Sequence, residues 1–143
     1  MQISPHFTIQ EFVPKDIFQI YGANSIWFVD MRLVEGMEWI RSYFNASIII
    51  NNWHKGGPLQ NRGYRPPNTT VGARLSQHKF GRACDFNVLG LKPDQVFDRL
   101  VADWGEVSKH TAFTTMEDKA DTPSWSHIDL RSTRSNEVLI VKP

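Results

Sequence analysis

The stretch Ser76-Gln77-His78-Lys79-Phe80-Gly81-Arg82-Ala83-Cys84-Asp85 places a histidine and an aspartate seven residues apart, with a glycine between them. Further along the chain, Trp125-Ser126-His127-Ile128-Asp129 supplies another histidine beside another carboxylate. Two imidazoles and a carboxylate are a common protein ligand set for a catalytic zinc ion, whose fourth position is left for water. These two stretches predict a metal site if the fold brings them together.

Length and composition predict the number of domains and exclude some classes of function. The chain has 143 residues, of which 41% are hydrophobic and 12% aromatic, which is enough for one core, so we expect a single domain over residues 1–143. The formal net charge of +1 gives no reason to expect nucleic-acid binding. Cys84 is the only cysteine, which excludes an internal disulfide, and we expect it to be a small packing residue.

The N-terminal residues do not combine a basic start with an apolar run, so we expect no secretory signal peptide. The most apolar region, residues 26–44, is interrupted by charged residues, so we expect no membrane insertion.

Capping and periodicity signals predict the helices. Thr8 and Glu11 fit a capping box that opens a short helix, and residues 14–21 fit a second short helix ending at Gly22. Apolar residues at steps of three and four predict the main amphipathic helix over residues 26–45, capped by Asn24 or Ser25. A further helix is expected from Pro93 to the Trp104-Gly105 pair.

Short β-branched or alternating stretches predict five strands, at residues 46–51, 82–88, 111–116, 126–130 and 138–141. The region 54–77 is rich in Gly, Pro, Asn and Arg, and because it leads into His78 we expect a loop at the site. Helices at the front of the chain with strands behind them predict an α+β fold. Its sheet should be mainly antiparallel, with the N-terminal helices packed on it.

Asp85 lies in an apolar strand, where its charge needs a strong partner. Zinc is one such partner, and an arginine is the alternative. Alternation along the strand puts Ala83, Asp85 and Asn87 on one face, and a neighbouring strand can present His127 to the same point. From the residues alone, both the zinc site and a structural ion pair of Asp85 stay open.

The ten-residue stretch from Ser76 to Asp85 matches the signature S-x-H-x-x-G-x-A-x-D of the peptidase M15 family. This family comprises zinc D-alanyl-D-alanine carboxypeptidases, VanX-type dipeptidases and phage L-alanoyl-D-glutamate endopeptidases, and the hedgehog signalling domain shares its fold. Trp125-x-His127-x-Asp129 resembles the second family motif, and Phe7 to Phe12 resembles the opening of small phage-type members. The resemblance spans about residues 48–131. It implies a hedgehog/DD-peptidase-like fold and Zn²⁺ bound by His78, Asp85 and His127.

The resemblance also implies a function. A zinc metallopeptidase of D,D-carboxypeptidase or L,D-endopeptidase type would hydrolyse peptidoglycan stem peptides at bonds that involve D-amino acids. We expect a monomer, made in the cytoplasm and released to the cell wall by lysis, as a phage endolysin is, or carried in a virion.

The family uses an arginine ahead of the first ligand to bind a substrate carboxylate or the scissile carbonyl. Gly63-Tyr64-Arg65 matches by residue type, which makes Arg65 the first choice and Arg62 the second. The position after the first strand holds His54 instead of arginine, and both arginines can equally be solvated loop residues. Tyr64, Ser76 and Trp125 are further candidates for substrate binding.

The general base is not at its usual place. Family peptidases carry an Asp or Glu three residues before the last ligand, where this chain has Ser124. The hedgehog-type domain keeps an acidic residue six positions before that ligand, where this chain has Asp121, so Asp121 is our choice of base. Glu117 and Asp118 are further candidates, and a solvated loop aspartate is the alternative interpretation of Asp121.

Asp129 lies two residues beyond His127, on the same face of the strand. It can orient a ligand imidazole or pair with Arg131. Because Ser124 replaces the base, a catalytically inactive zinc- or peptidoglycan-binding module of the same fold is the second hypothesis. A metal-free scaffold is the third.

Overall fold

The structure, a computed structural model, describes residues 1–142. It contains four α-helices: α1 (Lys15–Tyr21), α2 (Met31–Phe44), α3 (Pro93–Ala102) and α4 (Trp104–His110). The strands are β1 (Ile48–Ile49), β2 (Ala83–Val88), β3 (Thr115–Glu117), β4 (Ser126–Asp129) and β5 (Leu139–Val141). Four short 3-10 helices lie at Ile9–Glu11, Gly22–Phe28, Trp53–Lys55 and Gln77–Phe80. The α+β class expected from the sequence is confirmed.

The five strands form one sheet in the order β1-β2-β4-β3-β5. β1 pairs antiparallel with β2, β2 with β4, and β3 with β4, but β3 and β5 are parallel. The expectation of a mainly antiparallel sheet is corrected: the sheet is mixed. Both sides of β4 are already taken by β2 and β3, so β5 joins beyond β3 and runs in the same direction as that strand.

The main helix begins later than its hydrophobic period predicts. Val29 is extended, and Asp30 caps α2 by accepting a hydrogen bond from the backbone N–H of Arg32 at 3.1 Å. The prediction of a start at residue 26 with Asn24 or Ser25 as cap was therefore wrong. Apolar residues before Val29 belong to the 3-10 helix Gly22–Phe28, which continues the same spacing without continuing the α-helix.

The chain also does not leave helical structure at Trp104-Gly105. α3 ends at Ala102, Asp103 caps it, and α4 starts directly afterwards with Trp104, which is buried together with Val107. Burial of these two apolar side chains outweighs the low helix propensity of Gly105. β3 accordingly begins at Thr115 rather than at residue 111.

Alternation along β2 and β4 separates the core from the site. Cys84 and Phe86 on β2 and Ile128 on β4 belong to the hydrophobic core, and Cys84 is fully buried, as expected for a packing residue. α2 contacts β2, and α3 contacts β2 and β4. Asp85 and His127 alternate with these core residues, so they project from the opposite face of the sheet.

No helix within residues 1–142 is both long enough and apolar enough to cross a membrane.

Candidate metal centre

The two motifs meet at one point on the sheet. The register of β2 and β4 places Asp85 directly opposite His127. His78 reaches the same point from the 3-10 helix Gln77–Phe80, which Gly81 ends in a left-handed conformation at φ +67°. All three side chains are buried, with 2–6% of each residue exposed. Their side chains form a group that can hold a metal ion.

Three atoms face one another in this group: His78 Nε2, His127 Nδ1 and Asp85 Oδ1. The two nitrogens are 3.3 Å apart, and Asp85 Oδ1 lies 3.3 Å from His78 Nε2 and 2.8 Å from His127 Nδ1. A tetrahedral zinc with bonds of 2.0–2.1 Å holds its ligand atoms about 3.3 Å apart. Two sides of the triangle match that spacing and the third is somewhat shorter, so the donor set fits zinc.

Hydrogen bonds fix which nitrogen of each histidine faces the group. His78 Nδ1–H donates to the carbonyl oxygen of Gly63 at 2.7 Å, which leaves the Nε2 lone pair free. His127 Nε2–H donates to Asp129 Oδ2 at 3.1 Å, so Nδ1 is the nitrogen that faces Asp85 Oδ1. Backbone carbonyls and carboxylates are the usual outer partners of metal-bound histidines.

Two imidazole nitrogens and a carboxylate oxygen converge here. In the metal-free protein Asp85 Oδ1 accepts the proton of His127 Nδ1 at 2.8 Å, and a bound metal ion would take the place of that proton. Burial opposes a charge on His127, but hydrogen bonds to Asp129 and Asp85 outweigh it and raise the pKa of His127 to about 9. Burial lowers the pKa of His78. Burial also disfavours the Asp85 carboxylate, but His78 and His127 outweigh it and hold the pKa of Asp85 below its usual range.

Asp85 has an arginine partner as well. Arg65 Nη2 donates to Asp85 Oδ2 at 2.7 Å, and Arg65 Nε donates to the carbonyl oxygen of Asn61 at 2.6 Å. The sequence offered zinc or an arginine as the partner of Asp85. In the structure Oδ2 faces Arg65, while Oδ1 faces the two histidines and stays available to a metal ion. Arg65 is accordingly close to the site, with its guanidinium bound to a predicted ligand.

Asp129 combines the two roles that the sequence left as alternatives. It accepts a hydrogen bond from His127 and at the same time pairs with Arg131, whose Nη2 lies 2.6 Å from Asp129 Oδ2. Asp129 is fully buried.

Glu117 is the acidic residue that the fold brings to the group. The pairing of Thr115 with Asp129 and of Met116 with Ile128 brings Glu117, the last residue of β3, close to His127. Glu117 Oε1 lies 3.7 Å from His127 Nδ1, and its side chain is 16% exposed. Burial raises the pKa of Glu117.

The other candidates for the base lie in the turn after β3. Asp121 is exposed there, and Asp118 caps the turn by accepting a hydrogen bond from the N–H of Ala120. Ser124 is exposed, and its carbonyl oxygen accepts a hydrogen bond from Asn87. Hydrogen bonds and ion pairs within residues 1–142 connect neither Asp121 nor Asp118 to the three predicted ligands. Our choice of Asp121 relied on spacing from His127, whereas strand pairing puts Glu117 beside that histidine.

A cleft of about 640 Å³ contains the group. Glu117, Arg62, Ser76 and Trp125 line it together with Arg65 and the three predicted ligands. Apolar side chains of the loop before β2, among them Leu59 and Val71, form another part of the wall. The irregular region expected at the site therefore does border it.

Tyr64, a candidate for substrate binding, lies outside the cleft wall, and so does His54, which stands where an arginine is expected. Tyr64 is only 7% exposed and stacks on Phe28 at 5.1 Å between ring centroids, so it belongs to the core and not to the cleft wall. Its burial gives no support to the prediction that Tyr64 binds substrate. His54 packs edge-on against Trp53, and its ring nitrogens are buried without a hydrogen-bond partner.

No protein-family model, no curated protein and no solved structure matches this chain. The family resemblance therefore rests on the two motifs and the short N-terminal similarity. Sequence reasoning missed the carbonyl of Gly63 as the partner of His78 and ranked Glu117 behind Asp121. The signal for Glu117 was its place directly after the predicted strand 111–116.

Proposed function

We propose that the chain is a zinc-dependent peptidase of the M15 type that hydrolyses peptidoglycan stem peptides at bonds involving D-amino acids. One observation carries the proposal: His78, Asp85 and His127 turn one donor atom each to a common point in a cleft that also contains Glu117. The match of residues 76–85 to the family signature supplies the reaction class and the substrate class.

His78 Nε2, Asp85 Oδ1 and His127 Nδ1 would hold the metal. Zinc bound there supplies Lewis-acid polarisation of a peptide carbonyl and activation of water near neutral pH. The protein contributes a fixed donor set: Gly63 and Asp129 orient the two imidazoles, and the sheet register holds Asp85 beside His127. Because these donor atoms are already in place, the metal ion would bind with a defined coordination geometry.

Glu117 is the general base in this proposal and replaces Asp121. Its Oε1 would take a proton from the attacking water and deliver it to the amine that leaves. The support is positional, since Glu117 lies on the strand next to His127 with its carboxylate 3.7 Å from Nδ1. Asp121, on the exposed turn, would have to move to reach the same place.

The remaining cleft residues would bind the peptide. Arg65 keeps Asp85 in place through Oδ2, and its guanidinium lies at the cleft wall, where it can stabilise a developing oxyanion. Arg62, Ser76 and Trp125 line the cleft and provide a cation, a hydroxyl and an aromatic surface for the rest of the substrate. The hedgehog/DD-peptidase-like fold, the monomeric state and release by lysis or in a virion belong to the same proposal.

A catalytically inactive zinc- or peptidoglycan-binding module is the second candidate. One observation favours it: the family position for the base is Ser124, which is exposed and has no acidic group. In that case the metal would be retained for structure or binding, and Glu117 would have no catalytic role.

Digestion of purified peptidoglycan, with mass spectrometry of the released peptides, tests the proposal. We expect chelator-sensitive release of stem-peptide fragments by the wild-type protein. Glu117→Gln should reduce turnover by about 10²–10⁴-fold, the usual contribution of a positioned base. Asp121→Asn is the matched control, because it removes an acidic side chain from the neighbouring turn, and it should leave turnover unchanged.

Three results would count against this reading. A zinc-loaded wild-type protein that releases no peptide favours the binding module. Loss of turnover in Asp121→Asn with normal turnover in Glu117→Gln would identify Asp121, not Glu117, as the general base. Cleavage that persists in a strong chelator would exclude a metal-dependent reaction.

A further inference from the structure

Arg131 donates hydrogen bonds to both carboxylate oxygens of Asp129. Its Nε lies 2.9 Å from Asp129 Oδ1, its Nη2 lies 2.6 Å from Oδ2, and its backbone N–H donates to Oδ1 at 3.0 Å. With His127 Nε2–H, the Asp129 carboxylate accepts four donors, which matches its four lone-pair sites. The carboxylate is therefore fully satisfied and has one orientation.

That orientation determines how His127 meets the metal group. Asp129 Oδ2 accepts the proton of His127 Nε2, so Nδ1 is the nitrogen directed at Asp85 and His78. Any rotation of the carboxylate would remove the acceptor that fixes this orientation of the ring. Asp129 is fully buried, so water cannot replace a lost partner without a rearrangement.

Arg131 is itself held in place. Its carbonyl oxygen accepts a hydrogen bond from Thr114 Oγ1 at 2.6 Å, and its side chain is only 31% exposed. It also borders the cleft beside the metal group. A bidentate guanidinium in a partly buried place orients a carboxylate much better than a mobile surface cation does.

We propose that Arg131 is a positioning residue of the metal centre: by clamping the Asp129 carboxylate, it fixes His127 with Nδ1 toward the metal. This inference rests on the proposed metal centre but not on the peptidase activity. The pattern His127-x-Asp129-x-Arg131 is its sequence signature, since residues at alternate positions of an extended chain lie on one side.

Zinc affinity measured by competition with a chromogenic chelator tests the proposal. Arg131→Gln should raise the zinc Kd severalfold, up to the limit of about 10–100-fold that is usual when the direct partner of a metal ligand, here Asp129, is lost. Arg131→Lys keeps the positive charge but cannot bind both carboxylate oxygens at once. Its zinc Kd should lie between those of the wild type and Arg131→Gln. Arg134→Gln, an exposed arginine three residues further on, is the matched control and should bind zinc like the wild type.

A second measurement separates positioning from a general loss of stability. In an Asp129→Asn background, Arg131→Gln should add no further loss of zinc affinity, because Arg131 acts through Asp129. The visible absorption spectrum of the Co²⁺-substituted protein should change in Arg131→Gln and stay the same in Arg134→Gln. Folding of each zinc-free variant is checked by its unfolding midpoint, and Arg131→Lys serves if Arg131→Gln does not fold.

The outcomes are distinct. A zinc Kd for Arg131→Gln within twofold of the wild-type value, with an unchanged cobalt spectrum, overturns the inference whatever the activity. Additive losses in the double variant also overturn it. A wild-type protein that binds zinc but cleaves no peptide refutes the peptidase proposal and leaves the Arg131 comparison intact, whereas a wild-type protein that binds no zinc refutes both.

Discussion

Replacing Gly81 by alanine perturbs the turn that joins the first two predicted ligands. Gly81 has φ +67°, and a Cβ at this position would collide with the backbone carbonyl oxygen of Phe28. The two segments are also tied together, because the N–H of Asp30 donates to the carbonyl oxygen of Gly81 at 3.0 Å. Neither backbone can therefore move away without losing other contacts.

The cost has two parts that a matched variant can separate. A left-handed conformation costs an alanine about 1–2 kcal/mol. Forcing a methyl group against fixed backbone adds about 1–3 kcal/mol. Gly90 has φ +86°, and a Cβ there would meet no atom within 4 Å, so Gly90→Ala carries only the first part.

Urea denaturation of the zinc-free proteins provides the assay. We expect Gly90→Ala to lose about 1–2 kcal/mol of unfolding free energy and Gly81→Ala to lose clearly more. Because Gly81 ends the helical turn that carries His78, only Gly81→Ala should also weaken zinc binding. Equal losses of stability in the two variants, or unchanged zinc affinity in Gly81→Ala, would refute the reasoning.

Two further predictions concern stability. Asp30→Ala should cost about 1 kcal/mol by removing the cap of α2, while Asp30→Asn should cost less. Hydrogen bonds from Arg32 hold the pKa of Asp30 below its usual range, so this stabilisation should be complete above about pH 4 and disappear as the pH falls further, which urea midpoints across that range will show. Arg65→Ala removes the donor to Asp85 Oδ2 but leaves His127 beside Oδ1, so it should destabilise the zinc-free protein by about 1–3 kcal/mol, the cost of one lost partner of a buried charged group. Added zinc should restore part of that loss, and a urea midpoint that zinc does not raise would contradict this prediction.

The predicted ligands could be found from the sequence because their signal is local. A strand with alternating faces directs Asp85 away from the core, and the glycine before it allows the turn from His78. The pairing of Asp85 with His127 was an inference from two predicted strands, and the register places them opposite each other. Residue type and spacing thus pointed to these three side chains, and the family resemblance named them as ligands.

Features that depend on strand order could not be read in the same way. The sequence does not show that β4 has a neighbour on both sides, which leaves the free edge of β3 to β5. It also does not show that β5 runs parallel to β3. The position of Glu117 beside His127 has the same origin, since it follows from the pairing of β3 with β4. Spacing from His127 pointed to Asp121 instead, which the chain leaves on an exposed turn.

Contacts between side chains that are far apart in the sequence could not be predicted either. Tyr64 sits beside Arg65 in sequence, yet it is buried against Phe28, because Gly63 packs closely on the backbone of Phe12 and turns the next ring into the core. The start of α2 was misplaced for a related reason: a 3-10 helix and an α-helix show similar apolar spacing, and only the extended Val29 separates them.

Metal content is the most direct test of the central claim, that His78, Asp85 and His127 form a zinc site. The purified protein, dialysed against zinc and then against metal-free buffer, should retain one zinc ion per chain by elemental analysis. Asp85→Asn should lose it while remaining folded, and Asp121→Asn should keep it. A folded wild-type protein without stoichiometric zinc, or an Asp85→Asn variant that binds as much zinc as the wild type, would contradict the account.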